Sequence, residues 1–528
     1  MINQFKKIGT LYRTIKHLKP IQIVYQVKNR LWKAKSLSQY ANPVLKHPTK
    51  LNFFDLPAPK EVLTIAPDYY IFDFLNLKNK YSKEIDWNDQ SNGKLCNYNM
   101  QYCDFLRQKN INIEKRAGIL LLLYEKLWKG IVPPEPYPAS LRIMNVIRFL
   151  SDQSHTEVLD YLYAEANYLS RNLEYHLLGN HLLENAFALL MAGHFFSNRK
   201  WIQQASLLVE NEIKEQILED GAHFELSPMY HQIILFRLLE AIYYLPEETT
   251  LRKILIVKAE KMLTWLSNMS FKDGTVPHFN DSTNNIAFTN KELMQIAKKI
   301  GLQVVKDFQL RDSGYRKFSL DGFEMFVDVF GIGPHYQPGH AHADTFSYFL
   351  SHDGIPIIVE PGISTYEIGN RRDWERSTGA HNTLTINGLN SSETWSGFRV
   401  GRRAKVKVAE ENKSLITANH DGYRHKKVLV HRQFKIGEDN ITVEDYIEGW
   451  NPQLEAVSYL HFHPSANIRK NHQQLIINGQ VEIRIMGSCR LALEIYHFSH
   501  GYNHTEPAQR LRINYLEPTT ITQMKTIL

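Results

Sequence analysis

Acidic residues are missing from the first 54 positions of this 528-residue chain, and Asp55 is the first of them. Eleven basic residues occupy the same stretch: Lys6, Lys7, Arg13, Lys16, Lys19, Lys28, Arg30, Lys33, Lys35, Lys46 and Lys50. The net charge of +7 is therefore an N-terminal property, because residues 55–528 carry 51 basic against 55 acidic side chains. A body without a basic stripe cannot track phosphates, which excludes nucleic acid as its partner. Cysteine is scarce as well. Cys96, Cys103 and Cys489 are too few for a disulfide framework and read as small buried hydrophobes, the first two on one helix face.

Long apolar runs are also absent. The longest, Ala117 to Tyr124, is eight residues, against the roughly 20 that a membrane span needs, so no segment is expected to cross a bilayer. The start of the chain lacks a gathered apolar core of the signal-peptide kind, since charge interrupts Ile8–Leu18. These features predict a protein that is cytoplasmic or peripheral to the inner membrane face, and periplasmic only if a leader had been removed.

Apolar material is plentiful, at 43% hydrophobic and 12% aromatic residues, which suffices for two or three cores. Ile8, Leu11, Tyr12, Ile15 and Leu18 follow helical spacing, and Ile21, Val24, Tyr25, Lys28, Leu31 and Trp32 do so again after Pro20. This basic amphipathic pair either docks on the body or meets an anionic membrane or a partner through residues 1–35. From about residue 60 to 305 the pattern is helical, with stripes over 118–129, 140–151, 156–178, 181–196, 200–218, 229–244, 251–267 and 290–301. After Arg311 the period changes to two, with strands expected at 323–330, 355–360, 383–386, 405–408, 428–435, 441–446 and 481–485. The expectation is α+β in segregated domains: a basic segment (1–55), a helical domain (56–310) and an antiparallel β-sandwich (311–528), with the boundary near 305–318. A cleft belongs at their junction.

Three stretches are dense in reactive groups. In Gly179-Asn-His-Leu-Leu-Glu-Asn185 the spacing brings an amide, an imidazole and a carboxylate onto adjacent helix faces. In Glu225-Leu-Ser-Pro-Met-Tyr-His231, Ser227 reads as a helix cap and Tyr230 falls in the first turn, where the helix dipole is expected to ease phenolate formation. In Gly339-His-Ala-His-Ala-Asp344 the two histidines face one side of an extended segment, and Glu360 and His381 add ligand types that Zn²⁺ accepts. His461 and His463 repeat that spacing.

These stretches, with Glu135-Pro-Tyr-Pro-Ala-Ser-Leu-Arg142, Glu360-Pro-Gly362 and Arg376-Ser-Thr-Gly-Ala-His-Asn-Thr383, resemble the heparinase II/III family of polysaccharide lyases, in order and over nearly the whole chain. The resemblance implies an incomplete (α/α) toroid followed by a β-sandwich, and β-elimination at a uronic acid in an acidic polysaccharide. It implies that Asn180 and His181 hold the substrate carboxylate, that Tyr230 and His340 move the protons, and that Glu184 orients His181. It places a structural zinc on His342, Glu360 and His381, with Glu360 where the family usually has Asp. Arg142, Tyr366, Arg371 and Trp374 are the expected sugar contacts, with Arg372 beside them. A non-catalytic polysaccharide-binding or assembly factor, and a zinc hydrolase or oxygenase confined to the sandwich, stay open as other functions. Oligomeric state is not legible.

Overall fold

The computed structural model describes residues 2–42, 48–56, 60–153, 155–305 and 308–527, with side chains from residue 8 onward. Lys46, the side chains of Lys6 and Lys7, and positions 306–307 of the expected boundary lie outside the described residues.

Two helices open the chain, α1 (Ile2–Ile15) and α2 (Pro20–Leu31), broken at Pro20, which takes the first position of α2. A three-stranded sheet (Leu63–Ala66, Tyr69–Phe74, Leu77–Ser82) follows where a helical pattern was expected. Its central strand, Tyr-Tyr-Ile-Phe-Asp-Phe, is built of residues that favour a pleated, half-buried surface.

The helical region comprises α3 (Lys94–Gln101), α4 (Ile113–Lys129), α5 (Pro136–Asp152), α6 (Thr156–Arg171), α7 (Gly179–Phe195), α8 (Arg199–Gln216), α9 (Pro228–Tyr244), α10 (Thr250–Asn268) and α11 (Asn290–Lys299). Helix α7 is buried on every side, with α5 and α8 packed against it, while α9 pairs with α10. A helix that is apolar all round must be enclosed, and α7 is the axis of this half. Cys96 and Cys103 are buried free thiols, but they do not share a helix face. Cys103 follows α3 in a left-handed turn.

The second half is an antiparallel sandwich. One layer has eight strands in the order Val406–Asn412, Leu415–His420, Leu429–Ile436, Asn440–Glu448, Thr519–Thr526, Val481–Met486, Gln474–Ile477 and Ile468–Asn471. Burial alternates residue by residue along Leu429–Ile436 and Asn440–Glu448, as one buried face requires. Asn478-Gly479 turns between two of these strands with positive φ at both residues, in a loop of three residues closed by the Ile477–Val481 pair. The opposing layer consists of two four-stranded sheets joined by a bridge between Ile358 and Phe462.

The two halves are not separate bodies on a string. Leu226, Trp265, Phe279 and Met269 from the helical side pack with Tyr315, Phe326, Phe349 and Tyr496 from the sandwich in one buried cluster. A short helix, α12 (Asn370–Glu375), lies in the loop that leads back to this junction. The loops that carry chemistry are therefore laid on a packed apolar floor.

Candidate active site

Ser227 caps α9, as the sequence predicts. Its hydroxyl accepts from the Tyr230 N–H at 3.3 Å and donates to the Asp281 carbonyl at 2.6 Å. The ring of Tyr230 stacks on His340 with centroids 4.0 Å apart, and its hydroxyl lies 3.2 Å from that of Tyr366. The expected easing of phenolate formation is not what this environment does. Burial pushes the Tyr230 phenol well above its usual value, assisted by the neighbouring Tyr502 and Tyr137, and outweighs the hydrogen bond to Tyr366. Tyr230 is a protonated phenol, fitted to donate.

Asp281, in the loop between α10 and α11, organises both histidines of the Gly339–Asp344 segment. Its carboxylate accepts from His340 Nδ1 at 2.9 Å, from His342 Nε2 at 2.8 Å and from the Arg372 guanidinium at 2.5 and 2.6 Å. Burial alone would raise the Asp281 carboxyl; Arg372 and the two imidazoles instead hold it well below the carboxylate range. An ionised carboxylate only accepts, so His340 carries its proton on Nδ1 and presents Nε2 as a base. Glu225 Oε2 stands 3.7 Å from that Nε2, placed to stabilise the imidazolium that forms when a proton arrives.

His181 is the third imidazole and the most open, with its side chain 25% exposed. Its Nδ1 lies 3.3 Å from Glu174, and Tyr137 tilts against its ring at 4.3 Å. Asn185 fixes Glu174 by donating to its carboxylate at 3.0 Å and accepting from its backbone N–H at 2.9 Å. Burial would lower the His181 pKa, but Glu174 outweighs it and the pKa is raised.

Several expected roles change. Glu184 does not orient His181: it is paired with Arg237 at 2.7 Å, and Glu174 does that work. Asn180 is 1% exposed, and its amide donates to both oxygens of Glu225 at 3.1 and 2.8 Å, so in this arrangement it positions Glu225. Arg142 is fully buried in an ion pair with Glu165 and donates to the Gln101 carbonyl at 2.7 Å, which removes it from the sugar contacts. Arg372 is spent on Asp281. Arg371 is bound to Glu375 at 2.7 Å and to the His497 carbonyl at 3.0 Å, and its guanidinium lies over Trp374. Of the expected sugar contacts, Tyr366 alone touches the Tyr230–His340 pair, its hydroxyl 3.5 Å from His340 Nδ1.

The expected zinc ligands do not form one set. His342 gives Nε2 to Asp281, while Glu360 is shared between Ser347 and His381. Among the described residues no group of three or more His, Cys, Asp or Glu is arranged to hold an ion. Two imidazole nitrogens, His342 Nδ1 and His381 Nε2, are nevertheless buried without a partner, and the two rings stand 5.2 Å apart. His461 meets Asn382 through Nδ1 and leaves its own Nε2 buried without a partner, while His463 binds Ser465.

Nothing local in the sequence marks Asp281, Glu225 or Glu174 as a site residue, beyond the place of Glu225 two residues before the cap Ser227. Glu174 was hidden in an apparent helix running to Leu178; α6 stops at Arg171. Asp281 sits in a polar loop that sequence alone cannot distinguish from a solvated turn.

A helical half joined through a packed floor to an antiparallel sandwich, with a Tyr–His pair at the seam, defines the toroid-plus-sandwich class. The description "Heparinase II/III N-terminus" matches residues 142–300, and "Heparinase II/III-like, C-terminal" matches residues 303–526. The chain belongs to the heparinase II/III family. It is 26% identical over 348 residues to a heparin-sulfate lyase of Bacteroides stercoris, covering 58% of this chain and 49% of that one. It is 29% identical over 269 residues to a heparin-sulfate lyase of Pedobacter heparinus, covering 44% and 40%. The chain thus matches about half the length, or less, of these curated relatives. Among solved structures, a heparinase III aligns with a TM-score of 0.65 at 17% identity, covering 93% of this chain and 88% of the other. A mutant of the heparan sulfate lyase of Pedobacter heparinus aligns with a TM-score of 0.59 at 17% identity, covering 85% and 79%. These likenesses show the fold.

Proposed function

We propose that the protein is a polysaccharide lyase that cleaves a uronate-containing, glycosaminoglycan-like chain by β-elimination. The observation that carries this reading is the contact between Tyr230 and His340, a proton donor and a base brought face to face from the two halves of the chain. The names of the curated relatives support the substrate class.

Removing the C5 proton of a uronate requires that its carboxylate charge be offset, because the enolate otherwise gathers a second negative charge beside the first. His181, whose charged form Glu174 favours, is the group for this task. His340 Nε2 takes the C5 proton, and Asp281 at Nδ1 and Glu225 near Nε2 stabilise the resulting imidazolium. The electron pair forms the C4–C5 double bond and expels the C4 oxygen, which takes the proton of the Tyr230 phenol. No water is consumed, and one product carries an unsaturated uronate end.

Purified protein offered hyaluronan, chondroitin, heparan and alginate is expected to release absorbing unsaturated uronate from at least one, and Tyr230→Phe to lose that activity by 10²-fold or more. No release from any acidic polysaccharide would remove the reading. A hydrolase confined to the sandwich is not favoured, because His340 and His342 are both held by Asp281 from the helical half.

Zinc in the His342–Glu360–His381 region is a separate proposal, and the elimination above does not use it. Its support is the pair of unpartnered imidazole nitrogens, whose rings are each fixed by a carboxylate on the other nitrogen. Elemental analysis should find stoichiometric zinc that is lost in His381→Ala. Metal-free protein of unchanged thermal stability would dismiss it.

A further inference from the structure

Helices α1 and α2 are mounted the wrong way round for a pair whose only task is to pack on the body. The side turned toward the body is mostly polar, with the Tyr25 ring against Tyr175 at 4.8 Å as its aromatic contact. The Thr10 hydroxyl and the Arg13 guanidinium donate to Glu393 at 2.7 and 2.8 Å, and Trp395 Nε1 donates to the Thr14 hydroxyl at 3.1 Å. Lys19 pairs with Glu215, the Gln22 amide donates to the carbonyls of Leu177 and Tyr336 at 3.3 Å, and Asn29 meets His176 at 3.1 Å. The apolar side faces outward: Ile8 is 63% exposed, Tyr12 70%, Val24 61%, Leu31 65% and Trp32 69%. Ile8, Tyr12 and Ile15 share one face of α1, and Val24, Val27 and Leu31 share one face of α2.

The charge at this surface has one sign. Beside the end of α2 lies a depression of about 590 Å³ lined by Lys28, Arg30, Trp32, Lys33, Lys35 and Arg171 among others, with no acidic residue in its wall. Lys16, Arg30, Lys33 and Lys35 are exposed around the apolar stripe, and the whole stretch to residue 54 contains no Asp or Glu.

We propose that α1 and α2 form a docking surface for an anionic lipid bilayer, with the apolar stripe seated at the level of the acyl boundary and the basic residues on the headgroups. An outward apolar face with aromatic residues, flanked by cations and held to the protein by its polar side, is the arrangement an interfacial helix requires. A protein partner would have to supply both a large apolar patch and a matching acidic rim. A bilayer rich in anionic lipid supplies both without further assumption. The seam also touches loops of the active site. Leu177 and Tyr336 precede the His181 and His340 segments, and the hairpin of Glu393 and Trp395 leads to Phe398, which packs against Arg372. Seating the pair on a membrane would therefore bring the rim of the cleft to the lipid surface.

The test is cosedimentation of the full chain with vesicles of phosphatidylcholine alone and of phosphatidylcholine mixed with phosphatidylglycerol. The protein is expected to pellet with the anionic vesicles at low salt and to be released at high salt. Val24→Glu with Leu31→Glu, and separately Arg30→Glu with Lys33→Glu and Lys35→Glu, are expected to weaken partitioning by about tenfold or more while the thermal midpoint is unchanged. Wild-type protein that stays in the supernatant, or that pellets equally with neutral vesicles, would overturn the proposal. So would wild-type protein that is a dimer and becomes a monomer in the Val24→Glu, Leu31→Glu variant, since a second copy would then cover the face.

Discussion

Arg142 and Glu165 are both fully enclosed, and neither could stay charged there without the other. Removing one partner of such a pair leaves an uncompensated buried ion, at a cost of about 3–5 kcal/mol. Arg142→Met is thus expected to lower unfolding free energy by that order in denaturant titration while KM for an accepted polysaccharide stays within twofold; a large KM change in a fully folded variant would restore Arg142 as a sugar contact. His181 presents the opposite case, an imidazole whose charged form a neighbouring carboxylate favours. Its pKa is raised, so the charged form persists above the ordinary histidine range and is lost as pH rises through the raised value. Glu174→Gln removes the main cause of that rise, and the alkaline limb of kcat/KM is expected to move to lower pH. An unmoved limb would show that His181 does not need its charge.

At the scale of elements, the end of one helix and the start of another decide the geometry. Helix α6 stops at Arg171, and the turn that follows brings Glu174 back to His181. The apolar stripe continues past the stop, which is why the sequence reads as one helix to Leu178 and the carboxylate stays unseen. The start of α9 was legible, because Ser-Pro carries its own local chemistry: a side-chain acceptor for an N–H and a residue that needs none. That cap also holds the Asp281 loop, so Ser227→Ala is expected to lower unfolding free energy by about 1–2 kcal/mol and to reduce kcat more than it raises KM. A stable variant with unchanged kcat would separate the cap from the site. The segregation of helices from strands was readable from period alone. The small sheet at 63–82 was not, being too short to interrupt a long helical pattern. Asp281 illustrates the remaining limit: a loop carboxylate acquires its role only when Arg372, His340 and His342, distant in sequence, close around it.

Over the whole molecule, buried neutral histidines set the response to acid. Burial lowers His223 to about 4, with His340 adding to the effect; His231 falls to about 3, and so does His420. All three lie below the value of about 6.5 that they regain on unfolding. The unfolded chain therefore binds more protons below pH 6.5, and folding stability is present above that pH and falls as pH drops toward 4. Three such groups together contribute a loss of up to about 4 kcal/mol per pH unit in that window, offset in part by Asp344, whose carboxyl burial raises to about 7. A thermal midpoint that is flat from pH 7 to 5 would contradict this. Charge distribution shapes recognition in the same global way. A body with slightly more acid than base offers a polyanion no general attraction, and with Arg142 and Arg372 enclosed, binding falls to placed groups led by His181. The measurement that bears most directly on the whole account is the unsaturated-uronate yield from a panel of acidic polysaccharides, taken for wild type, Tyr230→Phe and His340→Ala. The account predicts product from wild type on at least one polymer and a loss of 10²-fold or more in each variant, with binding retained. Wild-type binding without any new chain ends, or full activity in Tyr230→Phe, would contradict it.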